Sequence, residues 1–167
     1  MHAFLQSSGG VLSIILTALR IFVFQVFEIG GSKYFLNNAK DEGEIKDILY
    51  PFQSGGYWNV VQIQFVRQVY IALWGILFII PGIVKSYEYC MIPYLLADDP
   101  QLSKKDAFRI SKEMMKGNKW KKFTMDMSFI GWELLSAFTA GITGVLYSTP
   151  YYMATKTELY SVLKEER

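Results

Sequence analysis

Residues 69–84 read VYIALWGILFIIPGIV, an uncharged stretch in the middle of a chain of 167 residues. A soluble helix seldom stays uncharged over a length that approaches a membrane span. Pro81-Gly82 lies inside the stretch, and proline interrupts a helix whereas glycine permits a tight turn. The sequence therefore predicts a helical hairpin over residues 57–97 with its tip at 81–82. Pro93 is expected to kink the return helix.

A second apolar region follows near the carboxyl end of the chain. Between Leu134 and Thr155 the sequence reads LLSAFTAGITGVLYSTPYYMAT and contains no charged residue. Glycines at 141 and 144 are typical of a turn in such a region. We therefore predict a second hairpin over residues 122–160, with its tip near 141–144.

The amino-terminal region predicts a single span. Val11–Ile29 has about the length that crosses ~30 Å of hydrocarbon. Glycine pairs precede and follow it, and the pair Gly30-Gly31 is expected to end the helix. Residues 1–19 contain no Lys or Arg, so the basic region that opens a signal peptide is missing. We therefore expect residues 11–29 to remain as a membrane span.

Between the hairpins, residues 103–117 predict an amphipathic helix. Ser103 followed by Asp106 resembles a capping box, and Gly117 is a plausible carboxyl cap. Eight basic residues lie on and just after this segment: Lys104, Lys105, Arg109, Lys112, Lys116, Lys119, Lys121 and Lys122. The positive-inside rule places the basic loop 101–122 and the C-terminus in the cytoplasm, and the N-terminus outside.

The basic segment is compatible with two roles. One is simply to fix the orientation of the chain in the membrane. The other is contact with anionic lipid headgroups, at about 1 kcal/mol for each basic side chain near the surface. The sequence leaves both open.

We predict an intramembrane charge cluster of five residues: Arg20, Arg67, Glu88, Asp126 and Glu133. Ionisable groups in spans are costly and usually face the bundle interior. At ~1.5 Å per residue, Arg20 lies at a depth similar to Glu133 and Glu88, and Arg67 at a depth similar to Asp126. We predict the pairs Arg20–Glu133 or Arg20–Glu88, and Arg67–Asp126. Such pairs would either hold the bundle together or line a polar cavity.

The composition argues against several classes of function. One cysteine, Cys90, and one histidine, His2, cannot form a disulfide or a Cys/His metal site. Because the one histidine is at position 2, a Ser-His-acid triad is implausible. A net charge of +2 is too small to favour nucleic acid. We expect no catalytic residue, no metal and no cofactor.

Several blocks of sequence, in order, carry a resemblance to a known family. They are LWGILFIIPGIVKSYEY (73–89), PYLLADDP (93–100), SKEMMKGNKWKKF (111–123), SFIGWELL (128–135) and PYYMATKTELY (150–160). Over roughly residues 48–163 the chain resembles an uncharacterised family of bacterial integral membrane proteins of Gram-positive type, known as a domain of unknown function. The resemblance implies a helical protein of the cell membrane and no known activity. A more distant likeness is to the membrane domain of some glycerophosphodiester phosphodiesterases.

These observations predict an all-α, polytopic membrane helix bundle. It would contain one amino-terminal span, two helical hairpins and a basic amphipathic helix at the interface, in a single membrane domain over 1–167. The expected function is a non-catalytic scaffold, accessory or lipid-associated component of the membrane. The alternative is a small transporter or channel-like subunit that uses the charges within the membrane. The expected partners are the lipid bilayer and its anionic headgroups, and a membrane protein or a second copy of the chain is also compatible.

Overall fold

The structure, a computed structural model, describes residues 25–139, 141 and 143–166. This part of the chain is helical and contains no strand, so the all-α prediction is confirmed. The elements are α1 (25–38), a 3₁₀ helix (Ile45–Leu49), α2 (Tyr50–Gln53), α3 (Tyr57–Leu77), α4 (Ile79–Glu88), α5 (Ile92–Asp98), α6 (Lys104–Met114), α7 (Lys119–Phe138), a π-helix (Gly144–Ser148) and α8 (Thr149–Glu165).

Helix α1 continues through the glycine pair that was expected to end it. The prediction of a helix end at residue 29 is wrong, because 25–38 is one continuous helix. Gly30 serves packing instead: a Cβ on it would lie 1.9 Å from the carbonyl oxygen of Ile48. Most of the predicted span 11–29, including Arg20, lies outside the described residues.

The first hairpin turns at Phe78 and not at Pro81-Gly82. Phe78 is the one residue between α3 and α4, and its backbone is extended with φ −155° and ψ 126°. Pro81 therefore lies in the first turn of α4, where its missing N–H breaks no hydrogen bond within the helix. Gly82 packs directly on α3, since a Cβ there would lie 2.6 Å from the Cα of Gly75.

Hydrogen bonds join the two ends of this hairpin, at the start of α3 and after α5. Asn59 at the start of α3 donates from Nδ2 to the carbonyl oxygens of Pro100, at 2.8 Å, and Leu102, at 2.9 Å. The return leg is not one kinked helix: it breaks over residues 89–91 into α4 and α5. Pro93 lies at the start of α5, a position that a residue without an N–H can occupy.

The packed core lies at the base of the hairpins, away from their tips. Helix α5 supplies six consecutive buried residues, 92–97, and stands among α1, α3, α6 and α8. Tyr94 stacks on Tyr160 of α8 with ring centroids 5.3 Å apart. Ala107, Met114 and Met115 bury the apolar side of α6 in the same core.

The second hairpin is formed by α7, the π-helix and α8. After α7 ends at Phe138, Gly141 takes a φ of +87°, the left-handed conformation that favours glycine. Aromatic contacts join the legs: Trp132 lies 5.0 Å from Tyr147, centroid to centroid, and Phe129 lies 5.2 Å from Tyr152.

Among the described residues, α3 is the one helix long and apolar enough to cross a membrane. Its best window has a mean hydropathy of 1.4, and 28% of that window is buried in the protein. A single helix of this kind gives weak support for a membrane location and does not establish a polytopic arrangement.

Candidate functional site

Large apolar side chains are exposed along the outer parts of both hairpins. The exposed fraction reaches 83% for Ile76, 76% for Ile80 and 88% for Phe138. Others in the same two regions are Leu73, Trp74, Leu77, Phe78, Ile83, Val84, Met127, Ile130, Trp132, Leu134, Leu135, Tyr147 and Tyr151. Patches of this extent are typical of surfaces that meet a membrane or another protein.

Below these apolar ends, Glu88 joins three helices. Its carboxylate accepts from Lys85 Nζ of its own helix and from Lys119 Nζ of α7, each at 2.7 Å. Its backbone carbonyl accepts from Ser111 Oγ of α6 at 2.8 Å. The end of α4, the middle of α6 and the start of α7 are therefore tied together at one point.

Asp126 is the second centre of charge. It accepts from Lys122, one turn earlier on α7, and from two tyrosine hydroxyls: Tyr87 at 3.0 Å and Tyr152 at 2.9 Å. Lys122 also donates to the Tyr152 oxygen at 2.9 Å and is buried, with 3% of its surface exposed. We call the polar groups around Glu88 and Asp126 the charged belt: Lys85, Tyr87, Glu88, Lys119, Lys122, Asp126 and Tyr152.

The predicted pair Arg67–Asp126 is wrong. Arg67 Nη1 lies 2.9 Å from Gln64 Oε1 and 3.4 Å from Glu28 Oε2, so its acidic partner is on α1. Asp126 obtains its cation from its own helix, where Lys122 is four residues away. Two residues at similar depth in a bundle can still face different neighbours, because each helix can be rotated about its own axis. The prediction from depth did not take this rotation into account.

Arg20 lies outside the described residues, so only its predicted acidic partners, Glu88 and Glu133, can be described. Glu88 is already held by two lysines. Glu133 lies on α7 with its side chain exposed, and no hydrogen bond or ion pair joins it to another described residue. The four predicted residues that the structure describes, Arg67, Glu88, Asp126 and Glu133, therefore do not form one cluster.

Helix α6 begins as the sequence predicted, with Ser103 as its amino cap. Ser103 Oγ accepts from the Asp106 N–H at 3.1 Å and donates to the Asp106 carboxylate at 2.7 Å. This hydrogen bond, together with the nearby Arg109 guanidinium, lowers the pKa of the Asp106 carboxyl. The same Asp106 raises the pKa of Arg109. Each of these two groups therefore favours the ionised state of the other.

Most, but not all, of the predicted headgroup contacts are available at the surface. The exposed cations are Lys104, Lys105, Arg109, Lys112, Lys116 and Lys121. Lys119 is half-buried on Glu88. Lys122 does not belong to this set, because its ammonium is buried against Asp126. We call Lys104, Lys105, Arg109, Lys112 and Lys116 the cationic face of α6.

Two surface pockets flank α6. One, of about 450 Å³, is lined by Glu88, Arg109, Lys112, Glu113, Lys116 and Lys119. The other, of about 370 Å³, is lined by Val66, Tyr70, Tyr89, Lys104, Lys105 and Phe108. The second combines two lysines with apolar and aromatic walls. That combination suits a molecule with an anionic head and an apolar body.

Several belt residues were missed by the sequence reasoning. Tyr87 and Tyr152 were not predicted as site residues, yet their hydroxyls bond Asp126. The spacing of Lys122 and Asp126 was visible, since residues four apart share one face of a helix. Partners that lie on other helices, such as Ser111 for Glu88, could not be identified from the neighbouring sequence.

Comparison with known proteins agrees with the resemblance inferred from the sequence. A family model described as "Protein of unknown function (DUF975)" matches residues 76–167. Neither a curated protein nor a solved structure matches the chain. The matched segment is more than half of the chain, and it contains α4 to α8 with the whole charged belt and the cationic face of α6. The chain therefore belongs to the DUF975 family of proteins of unknown function.

Proposed function

We propose that this protein is a non-catalytic integral component of the bacterial cell membrane that binds anionic lipid headgroups through α6. One observation carries the proposal. Large apolar side chains are exposed beyond the charged belt, whereas exposed cations lie beside the belt on α6. A bilayer offers the two matching layers, hydrocarbon next to anionic headgroups.

The second hairpin supports a multi-pass arrangement. Helix α7 has 20 residues, so it is about 30 Å long and matches the hydrocarbon thickness. The π-helix and α8 form the return leg, of which residues 144–155 carry no charge. With the cationic face of α6 on the cytoplasmic side, the C-terminal end of α8 lies there too.

The pockets beside α6 support the lipid assignment. Lys104 and Lys105 border a pocket whose walls include Val66 and Phe108. Lysines near a membrane surface attract anionic headgroups by about 1 kcal/mol each. The apolar walls would take the first part of an acyl chain, so the pocket matches both parts of a lipid.

The pairing of the belt charges favours a structural role over transport or catalysis. Glu88 and Asp126 are each held by a lysine. A carboxylate that binds a solute or moves a proton has to be free for that task. The belt groups instead hold one another, which is what a scaffold requires, and the exposed Glu133 on α7 lies outside this belt.

Membrane integration can be tested directly. Membranes from cells that express the full chain would be washed with alkaline carbonate. We expect the protein to stay in the pellet, as an integral protein does. Release into the supernatant would contradict the proposal.

Lipid binding can be tested by titrating purified protein in a neutral detergent with phosphatidylglycerol or with phosphatidylcholine. We expect phosphatidylglycerol to bind more tightly. The double variant Lys104→Gln/Lys105→Gln should bind it about 30-fold more weakly, as two basic contacts in the pocket with Val66 and Phe108 imply. The control Lys40→Gln/Lys46→Gln removes the same charge from exposed positions remote in sequence from α6 and should bind normally. Equal losses in both variants would contradict a specific role for α6.

A further inference from the structure

The first hairpin extends only a short distance beyond the charged belt. Helix α4 has 10 residues between the turn at Phe78 and Glu88, which makes it about 15 Å long. That is half of the ~30 Å that a crossing helix must cover. At Glu88 the chain meets Lys119, whose ammonium lies 2.7 Å from the carboxylate.

Helix α6 lies at the level of this belt. Its Ser111 hydroxyl bonds the Glu88 carbonyl, and its Phe108 ring lies 5.7 Å from the ring of Tyr70 on α3, centroid to centroid. Tyr70 precedes the turn at Phe78 by about 12 Å of helix. The charged groups of α6 point outward, and half of the Arg109 side chain is exposed. Placing exposed cations in hydrocarbon costs too much free energy, so α6 lies at the level of the headgroups.

The tip of the hairpin carries no polar side chain. Residues 76–84 read ILFIIPGIV, and Ile76, Phe78 and Ile80 are among the most exposed apolar residues of the described chain. A hairpin that crosses a membrane would place this turn in the headgroups and water of the far side. The turn is instead as apolar as the hydrocarbon interior.

The backbone of the turn is partly paired. Pairing lowers the cost of placing polar backbone groups in hydrocarbon. Here the turn is a single residue: the Phe78 N–H donates to Trp74 O at 3.0 Å, and the Gly82 N–H donates to Phe78 O at 3.1 Å. Pro81 has no N–H, which removes one of the donors that a helix start leaves free.

We infer that the α3–α4 hairpin enters the membrane from the side of α6 and ends near the middle of the bilayer, without crossing it. This inference rests on the proposed membrane location and adds the depth to which the chain is inserted. The occupant of the exposed apolar tip is the acyl-chain layer of the bilayer. The anionic headgroups lie against α6, about 15 Å from the tip.

The test is a depth profile with nitroxide labels on the full chain, reconstituted into vesicles that contain phosphatidylglycerol. Cys90→Ala removes the one native thiol, and single cysteines replace Lys105, Val69, Leu73 or Ile80, all of them exposed. Oxygen collides with labels in hydrocarbon, whereas a nickel chelate collides with labels in water. Circular dichroism would verify that each variant keeps its helical content before the depths are compared.

We expect the depth to increase steadily from Lys105 through Val69 and Leu73 to Ile80. In a crossing hairpin the deepest label would be Val69, near the middle of α3, and the label at Ile80 would collide with the nickel chelate. That result would overturn the inference and leave the membrane location intact. A profile with no preference for oxygen at any position would overturn both.

Discussion

The two hairpins share sequence features but differ in how they end. Each contains a tryptophan, a Gly-Ile pair and a Pro-Tyr pair in the same order. The first ends in an apolar single-residue turn at Phe78. The second ends in a polar turn, where the Thr139 and Thr143 hydroxyls are 2.7 Å apart and share a hydrogen bond.

The hairpins also differ in the length of helix between the Glu88–Lys119 ion pair and the tip. From the Glu88–Lys119 ion pair, α4 has 10 residues to its turn and α7 has 20. The ion pair therefore stands about 15 Å from the first tip and about 30 Å from the second, whereas Asp126 and Tyr152 of the same belt lie closer to the second tip. In the proposed membrane location, the apolar turn at Phe78 and the polar turn after Phe138 predict different depths for the two tips.

The largest effect is expected where the hairpins are joined through the belt. Lys122→Met should lower the free energy of unfolding by about 3 kcal/mol, because it leaves the Asp126 carboxylate without its cation. This figure is at the lower end for a buried pair, since about a quarter of the Asp126 side chain is exposed. Denaturant titration in detergent micelles, followed by circular dichroism, would measure the change.

The neighbouring Lys121→Met is the matched control, because Lys121 is an exposed cation on the same helix. It should change stability by less than about 0.5 kcal/mol. The double variant Lys122→Met/Asp126→Leu should recover part of the loss, since no charge is then left unpaired. Equal effects of Lys121→Met and Lys122→Met would mean that the belt does not hold the hairpins together.

A smaller effect is expected at the tip of the first hairpin. Gly82→Ala should cost about 2 kcal/mol, because the new Cβ would lie 2.6 Å from the Gly75 Cα and push α3 and α4 apart. Gly131→Ala in the second hairpin meets nothing within 4 Å. It should be neutral or slightly stabilising, since alanine favours a helix more than glycine does. Thermal unfolding of both variants would sharpen the comparison, and similar melting temperatures would refute the close packing at Gly82.

The smallest effect is expected at the start of α6, which packs on the first hairpin. Ser103→Ala removes the amino cap and should cost about 1 kcal/mol. The pKa of Asp106 is lowered in the folded protein, so its ionised carboxylate stabilises the fold. This stabilisation is fully present above the unfolded pKa of about 4 and is lost as the pH falls further. Amide hydrogen exchange of residues 104–114 at pH 7 would register the variant as faster exchange. Unchanged exchange rates would count against the cap.

The sequence predicted the elements of this fold better than their contacts. The uncharged runs identified both hairpins, and Ser103 with Asp106 identified the start of α6, because these signals are local. The turn at Phe78 was missed because Pro81 was interpreted as the break, although proline is also tolerated in the first turn of a helix.

The site was harder to predict because its partners come from different helices. Tyr87, Asp126 and Tyr152 meet only after α4, α7 and α8 have packed together. Arg67 has an acidic neighbour on α1, which depth alone does not reveal. Lys122 was placed with the headgroup contacts since it ends a run of lysines, and only the packing reveals that it is buried.

The comparison between the two tips can be tested most directly by labelling with a membrane-impermeant maleimide in intact cells. In the Cys90→Ala background, Phe138→Cys would mark the second tip and Ile80→Cys the first, both at strongly exposed positions. Detergent-solubilised samples would verify that both thiols can react. We expect Phe138→Cys to be labelled from outside the cell, and Ile80→Cys to be labelled from neither side until the membrane is dissolved. Labelling of Ile80→Cys from outside, or failure of Phe138→Cys to react there, would contradict the difference in depth.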